Sequence, residues 1–212
     1  MKLNLKTHTY PGKLITFCGL DGSGKTTYIN KITELFAQNN RSYVITKQPT
    51  EQVRKSNIFR TYMDQADHSA YDYRALSLFA ASDRLQHTNT FIVPNLRDGI
   101  TVFSDRYFYS CLANLRARGY KTDTWIYEIG SHLIEPDVAL FFDVDAEIAI
   151  QRVRSRPSEK DRYIDVELQK KLREEYLYIA QNAGGIIIDT TKPFCDCYNM
   201  IMNALKEKKI YV

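Results

Sequence analysis

The sequence has few cysteines and no long apolar run. Four cysteines among 212 residues are too few and too scattered for a disulfide framework, so we expect a reducing, cytoplasmic compartment. No apolar stretch approaches the roughly 20 residues of a membrane span. The short run at 14–20 is followed at once by Asp21 and a glycine-rich loop, without a cleavage site, and so does not read as a signal peptide.

The charge balance also excludes an obvious polymer-binding role. Lys and Arg total 29 and Asp and Glu total 25, which leaves a net charge of only +4. The basic residues are interleaved with acids, and no aromatic-basic platform is visible, so we expect neither a nucleic-acid partner nor a membrane partner. A mild positive excess suits small anionic ligands, and 44% apolar residues are ordinary for a globular protein.

No internal repeat, low-complexity segment or linker divides the chain, which predicts one domain over residues 1–212. Residues 1–12 end in Pro11-Gly12 and are expected to form a loose leader or a short added strand. Five β-prone runs alternate with helical patterns, an order that predicts parallel pairing. The expected fold is α/β, with three layers: a five-stranded parallel sheet and helices on both faces. The predicted strands span 14–19, 42–46, 100–104, 138–144 and 185–189.

The helical patterns have apolar residues at 3.6-residue spacing. They lie at 25–38, 51–65, 69–90, 107–118, 124–134, 146–154, 166–181 and 194–208. Pro94 is expected in a short connector after the third of these helices. The charged segment 154–163 contains Pro157 and no helical pattern, and we expect it to form a short, mobile lid.

The strongest motif begins where the first predicted strand ends. It reads Gly-Leu-Asp-Gly-Ser-Gly-Lys-Thr over residues 19–26 and matches the phosphate-binding P-loop pattern. Glycines let the backbone aim N–H groups at phosphate oxygens, and the helix that follows favours an anion at its N-terminus. Lys25 is expected to reach the β- and γ-phosphates of ATP, and Thr26 to bind Mg²⁺. The predicted nucleotide-binding residues of this loop are Gly19, Asp21, Gly22, Ser23, Gly24, Lys25, Thr26 and Thr27.

A second group of polar residues follows the third predicted strand. Carboxyl ends of parallel strands line the ligand crevice, so Asp105 could hold Mg²⁺ through water and Arg106 could clamp a phosphate. The alternative is a structural pair that caps the next helix. Two more Asp-Arg pairs occur, Asp83-Arg84 on a predicted helix and Asp161-Arg162 in the charged segment.

In combination and in this order, these motifs resemble the thymidylate kinase family of P-loop kinases. Four segments carry the resemblance, which runs from about residue 14 to the C-terminus. They are the P-loop with its Asp, Leu-Phe-Ala-Ala-Ser-Asp-Arg-Leu-Gln-His at 78–87, Asp-Arg-Tyr-x-x-Ser at 105–110 and Pro-Asp-x-x-x-x-x-Asp-Val at 136–144. The resemblance implies transfer of the ATP γ-phosphoryl group to dTMP, with Mg²⁺ as cofactor, in a homodimer.

The resemblance also implies roles for individual residues. Asp21 would meet the acceptor 3′-hydroxyl and the metal region, Arg106 the acceptor phosphate and Arg84 the acceptor base. The catalytic set it implies is Lys25, Asp21, Arg106, Asp105, Arg156 and Arg162. The substrate-binding set is Asp21, Arg54, Phe79, Arg84, Arg106, Ser110 and Asn114, the metal ligands are Thr26 and Asp105, and Arg154 joins the nucleotide-binding residues.

The chemistry of such a transfer agrees with the residue types. A monophosphate is already anionic near pH 7, so the acceptor needs no general base. It needs in-line positioning and neutralisation of spread negative charge, which arginines of a closing lid supply while they exclude water. Where some family members have a catalytic Arg this chain has Gly22, so the resemblance is to the members with lid arginines.

Three positions depart from the family pattern. The Phe79-to-Arg84 spacing is one residue longer than usual, and one residue is about 100° of helix rotation. Asn114 stands where the family usually has a Tyr that helps to reject a 2′-hydroxyl, and Gln48 replaces a carboxylate, which disfavours a nucleoside kinase. Two alternatives to a dTMP kinase stay open: a kinase for another monophosphate or a deoxynucleoside, and a non-catalytic ATP-binding homologue.

Overall fold

The computed structural model describes residues 3–211 and is built around one sheet of five parallel strands. The strand order across the sheet is β2-β3-β1-β4-β5. The strands are β1 (Leu14–Gly19), β2 (Tyr43–Lys47), β3 (Thr101–Asp105), β4 (Val138–Asp143) and β5 (Ile186–Asp189). The predicted five-stranded parallel sheet is therefore confirmed.

Ten α-helices are described around this sheet. They are α1 (Lys25–Gln38), α2 (Glu51–Arg54), α3 (Asn57–Asp64), α4 (Tyr73–His87), α5 (Val93–Arg97), α6 (Phe108–Ala117), α7 (Trp125–Gly130), α8 (Ala146–Arg154), α9 (Val166–Asn182) and α10 (Phe194–Glu207). None of the helices within residues 3–211 is long and apolar enough to cross a membrane.

The central strand β1 shows why there are three layers. All six of its residues are buried. Ile15 and Phe17 face one apolar cluster, which is completed by α1 and α10. Leu14 and Cys18 face the other, which includes residues of α4, α6 and α9. Because successive side chains of a strand point to opposite faces, one unbroken apolar run fills two cores.

Two helix predictions were wrong in detail. The predicted helix over 51–65 is two helices, because the Ser56 hydroxyl accepts a hydrogen bond from Phe59 N and starts α3 as its N-cap. The predicted connector around Pro94 is helical: α4 continues through a π-helical turn, Thr88–Ile92, into α5. Proline is tolerated there because it lies in the first turn of α5. The other predicted helices agree to within about one turn.

The N-terminal segment is not a loose leader. Lys6 N donates to Leu133 O at 2.8 Å and Glu135 N donates to Lys6 O at 2.7 Å, which makes an isolated parallel bridge. Gly12 N donates to Leu96 O at 2.8 Å. The described part of the segment therefore packs along the body of the protein. This resembles the short added strand that was the alternative expectation. Met1 and Lys2 lie outside the described residues.

Candidate active site

The phosphate loop joins β1 to α1 at the carboxyl end of the sheet. Lys25, at the start of α1, is 6% exposed. Its Nζ donates to Gly19 O at 3.1 Å, to Leu20 O at 2.6 Å and to Ser23 Oγ at 3.4 Å. Burial and the nearby charge of Arg106 lower the pKa of Lys25 to about 8. The loop therefore holds its ammonium group where phosphate oxygens could replace backbone carbonyls as acceptors.

Asp21 connects this loop to two arginines. Its Oδ1 accepts from Arg106 Nη2 at 2.6 Å and its Oδ2 from Arg162 Nη2 at 3.2 Å. Desolvation would raise the pKa of Asp21, but Arg106, Lys25 and Arg162 together hold it well below its ordinary value. The loop, the end of β3 and the charged segment before α9 thus meet at one carboxylate.

Asp105, the last residue of β3, offers an oxygen that could bind a cation. Its Oδ2 pairs with Lys47 Nζ at 2.9 Å, whereas Oδ1 is buried and has no hydrogen-bond partner. Thr26 supplies a hydroxyl in the first turn of α1. These hard oxygen donors fit Mg²⁺. Across residues 3–211 no group of three or more His, Cys, Asp or Glu could hold a metal ion, so most further ligands would come from phosphate and water.

A cavity of about 340 Å³ opens beside these residues. It lies among α2, α3, α4, α6, the segment before α9 and the first turns of α9. Its walls include eight of the side chains that the sequence predicted for the site. These are Asp21, Arg54, Arg84, Arg106, Ser110, Asn114, Arg156 and Arg162. Residues distant in sequence are therefore brought to one space that adjoins the phosphate loop.

Arg84 lines this cavity from α4 and is only 3% exposed. Its Nη1 donates to Ala80 O at 2.9 Å, and its buried Nε has no hydrogen-bond partner. Within the described part of the chain, Arg84 pairs with no carboxylate. A buried guanidinium with unused donors favours a ligand that presents acceptor oxygens. The adjacent Asp83 instead accepts from Thr50 N at 2.8 Å and fixes the segment after β2.

Phe79 is the one predicted substrate-binding residue that does not line the cavity. Its side chain is 41% exposed and lies about 120° around α4 from the cavity face. The cavity is lined instead by Tyr73, Leu76 and Ala80, which share a face with Arg84. The longer Phe-to-Arg spacing explains this, and counting back from Arg84 in helical steps would have found the correct residues.

Two of the three arginines predicted for the charged segment 154–163 line the cavity. Arg156 and Arg162 line it, and Arg162 also pairs with Glu159 at 3.2 Å. A short 3-10 turn, Pro157–Glu159, shapes the segment. Arg154 is exposed at the end of α8 and is not among the lining residues, so its nucleotide-binding role stays a prediction.

Comparison with known proteins identifies the family of this chain. The family model for thymidylate kinase matches residues 17–201. The chain belongs to the thymidylate kinase family. A probable thymidylate kinase of Pyrococcus horikoshii is 35% identical over 172 residues, which is 80% of this chain and 83% of that protein. One of Thermococcus onnurineus is 33% identical over 91% of this chain and 96% of its own length. A thymidylate kinase of Sulfurihydrogenibium sp. is 30% identical over 94% and 99%.

Gly22 shows how this thymidylate kinase family member differs from those with an arginine in the loop. Its φ is +84°, and a Cβ at this position would lie 2.2 Å from Ala149 O of α8. No side chain fits there unless α8 moves. The geometry therefore agrees with a loop that carries no arginine at this position.

Proposed function

We infer that the protein is a dTMP kinase: it transfers the γ-phosphoryl group of ATP to dTMP and releases dTDP and ADP, a step in the supply of dTTP. Membership of the family supports this function. The observation that carries it in the structure is that the phosphate loop and the cavity meet at Asp21 and Arg106, where their side chains lie 2.6 Å apart. A donor on the loop and an acceptor in the cavity would face each other across this pair.

The acceptor site is assigned from the walls of the cavity. Arg106 and Arg54 bind the acceptor phosphate, Ser110 donates to it, and Asn114 lies toward the sugar. Arg84 binds the base. Thymine presents a carbonyl oxygen at the position where cytosine presents an amino group, so the unused donors of Arg84 favour thymine over cytosine. Asp21 meets the sugar hydroxyl between the two sites.

The donor site is assigned to the phosphate loop together with Mg²⁺. Lys25 would exchange the loop carbonyls for phosphate oxygens, and Thr26 and Asp105 would hold the ion. Magnesium supplies neutralisation of the charge on the β- and γ-phosphates. Arg156 and Arg162 belong to a lid over about 154–163, and they neutralise the transferred group and exclude water. The whole chain acts as one kinase domain.

Gln48 supports an acceptor that is already phosphorylated. It is fully buried beside the cavity, and its Nε2 lies 3.1 Å from His87 Nδ1. An amide cannot remove a proton from a neutral 5′-hydroxyl, whereas a monophosphate requires no such base. A nucleoside kinase is therefore the less favoured function.

We further propose a cytoplasmic homodimer. The outer face of α4 carries an uncharged stripe, on which Leu78 is 48% and Phe79 41% exposed, with Ala75 and Ser82 beside them. Such a stripe suits burial against a second copy. All four cysteines are free thiols, which suits a reducing compartment.

The decisive experiment measures ADP formation from Mg-ATP with dTMP, dUMP, UMP, dCMP and dGMP in parallel. We expect turnover with dTMP, weak turnover with dCMP and none for Lys25→Ala. Binding of ATP without turnover of any of the five acceptors would contradict the proposal and favour a non-catalytic homologue. Turnover with UMP equal to that with dUMP would show that Asn114 leaves the site without selection against a 2′-hydroxyl.

A further inference from the structure

A buried phenol holds the arginine that faces the acceptor phosphate. Tyr176, on α9, is 4% exposed. Its hydroxyl accepts from Arg106 Nη1 at 2.8 Å and donates to Ser110 Oγ at 2.9 Å. Sequence analysis did not select Tyr176, because an apolar helical face carries many aromatic residues that only pack.

Arg106 depends on such contacts for its direction. Its φ is +72°, a left-handed conformation that few residues other than glycine adopt. Its backbone N donates to Phe17 O at 2.8 Å, and its carbonyl accepts from Ser104 Oγ at 2.7 Å. At the far end, Asp21 holds Nη2 and Tyr176 holds Nη1. Without the phenol, the one contact left to Nη1 among residues 3–211 is the 3.5 Å contact with Ser110 Oγ.

The phenol also sets the polarity of Ser110. Arginine can only donate, so the Tyr176 oxygen accepts from Arg106 and its proton goes to Ser110 Oγ. The Ser110 hydroxyl then keeps its own hydrogen for another acceptor, and the buried Cys18 thiol is one neighbour within its reach. Ser110 is 2% exposed and lines the cavity, so this hydrogen and the Arg106 guanidinium can act on the same anion.

We propose that Tyr176 is a positioning residue for the acceptor phosphate: it fixes the Arg106 guanidinium and leaves the Ser110 hydroxyl as a donor. The proposal rests on the assignment of Arg106 to that phosphate made above. Tyr176 touches neither nucleotide in this assignment. Its helix, α9, begins directly after the proposed lid, with Asp165 as N-cap, and Tyr176 lies about three turns into that helix.

The test compares binding of dTMP and thymidine, which differ only in the phosphate. Tyr176→Phe removes one oxygen and keeps the ring. We expect dTMP to bind about tenfold more weakly, the order of a lost hydrogen bond to a charged group, and thymidine to bind within twofold of the wild type. The matched control is Tyr178→Phe, which removes a phenol hydroxyl from the exposed side of the same helix and should change neither.

Arg106→Lys separates this proposal from the one on which it rests. If Arg106→Lys left dTMP binding unchanged, the assignment of Arg106 would fail. If Arg106→Lys weakened dTMP binding but Tyr176→Phe did not, only the positioning role would fail. We expect the double variant to bind dTMP little more weakly than Arg106→Lys, because the two residues act through one contact. Equal losses for dTMP and thymidine in Tyr176→Phe, including loss of both, would also overturn the proposal.

Discussion

Asp21 and Arg162 stand 141 residues apart in the chain and pair at 3.2 Å between Oδ2 and Nη2. This pair joins the phosphate loop to the lid. If Arg162 acts as the lid arginine proposed above, an incoming phosphate would compete with Asp21 for the same guanidinium. In that assignment the proposed lid is held by a carboxylate of the protein at the place where the substrate anion would bind.

The first prediction concerns the acid stability that this carboxylate supplies. The pKa of Asp21 lies well below its ordinary value of about 3.9, so its stabilising effect is complete above that pH and is lost as the pH falls. In Asp21→Asn the free energy of unfolding should therefore fall less steeply below about pH 4. The slope should decrease by the equivalent of somewhat less than one bound proton, since the Asp21 side chain is 45% exposed. Urea midpoints between pH 2 and 7 measure this. Asp98→Asn, an exposed carboxylate after α5, is the control and should lack this effect.

The second prediction concerns ATP affinity at alkaline pH. The pKa of Lys25 is lowered to about 8, and phosphate binding must raise it, because the anion stabilises the ammonium form. The dissociation constant for ATP should therefore rise up to tenfold per pH unit above about pH 8. Calorimetric titrations between pH 7 and 10 would show it. Thymidine, which has no phosphate, should bind without this break, and a flat ATP profile would contradict the placement of Lys25.

The third prediction separates affinity from stability at Arg84. Arg84→Met removes a buried charge with no carboxylate partner, so the free energy of unfolding should stay constant or rise. Affinity for dTMP should fall roughly 10- to 100-fold, because a charged hydrogen bond to the base is lost. Arg74 is exposed in the first turn of the same helix, and Arg74→Met should leave dTMP affinity unchanged. A parallel loss of stability and affinity in Arg84→Met would argue for a structural role only.

The fourth prediction tests the contact between the phosphate loop and α8. Gly99 has a φ of +77°, similar to that of Gly22, but a Cβ there would meet nothing within 4 Å. Gly99→Ala should cost about 1 kcal/mol from backbone strain alone. Gly22→Ala should cost about 1–3 kcal/mol more, because its Cβ would meet Ala149 O. Chemical denaturation of both variants gives the difference, and equal costs would show that α8 yields freely.

The fifth prediction tests the proposed dimer. Phe79→Asp places a charge on the uncharged stripe of α4 and should convert a dimer into monomers in sedimentation velocity. Ile148→Asp is the control, because Ile148 is similarly exposed, at 37%, on α8. Sedimentation of the unchanged protein as a monomer at micromolar concentration, or dissociation by both substitutions, would contradict the stripe as the interface.

The sequence predicted the parts of the fold that depend on one local pattern. The run of β1 and the glycines and Lys25 of the loop are recognisable because both periodicity and spacing are local. The break at Ser56 was missed, since a serine inside a helical pattern can face solvent or form a cap, and the choice depends on neighbouring packing. Pro94 was misplaced because a π-helical turn lets a helix begin again, which residue preference alone does not signal.

The sequence predicted which residues belong to the candidate site better than it predicted where their side chains point. Arg84, Arg106 and Arg162 were selected by type and order, and the structure brings all three to one cavity. Phe79 was selected from a motif whose spacing had changed by one residue, and rotation about the helix carried it outward. Tyr176 had no signal in the sequence, because its role depends on one oxygen placed between two elements that meet only in three dimensions.

The buried guanidinium of Arg84 has a consequence for how this protein can evolve. Within residues 3–211 no carboxylate pairs with this cation, and its unused donors are left for a ligand in the cavity. Substitutions that placed a carboxylate beside Arg84 would raise the free energy of unfolding of the unliganded protein. For the same reason they would lower its affinity for the proposed thymine base. Stability of the free protein and affinity for the ligand are thus opposed at Arg84. Whether a related sequence places a carboxylate beside this arginine would show which of the two was selected.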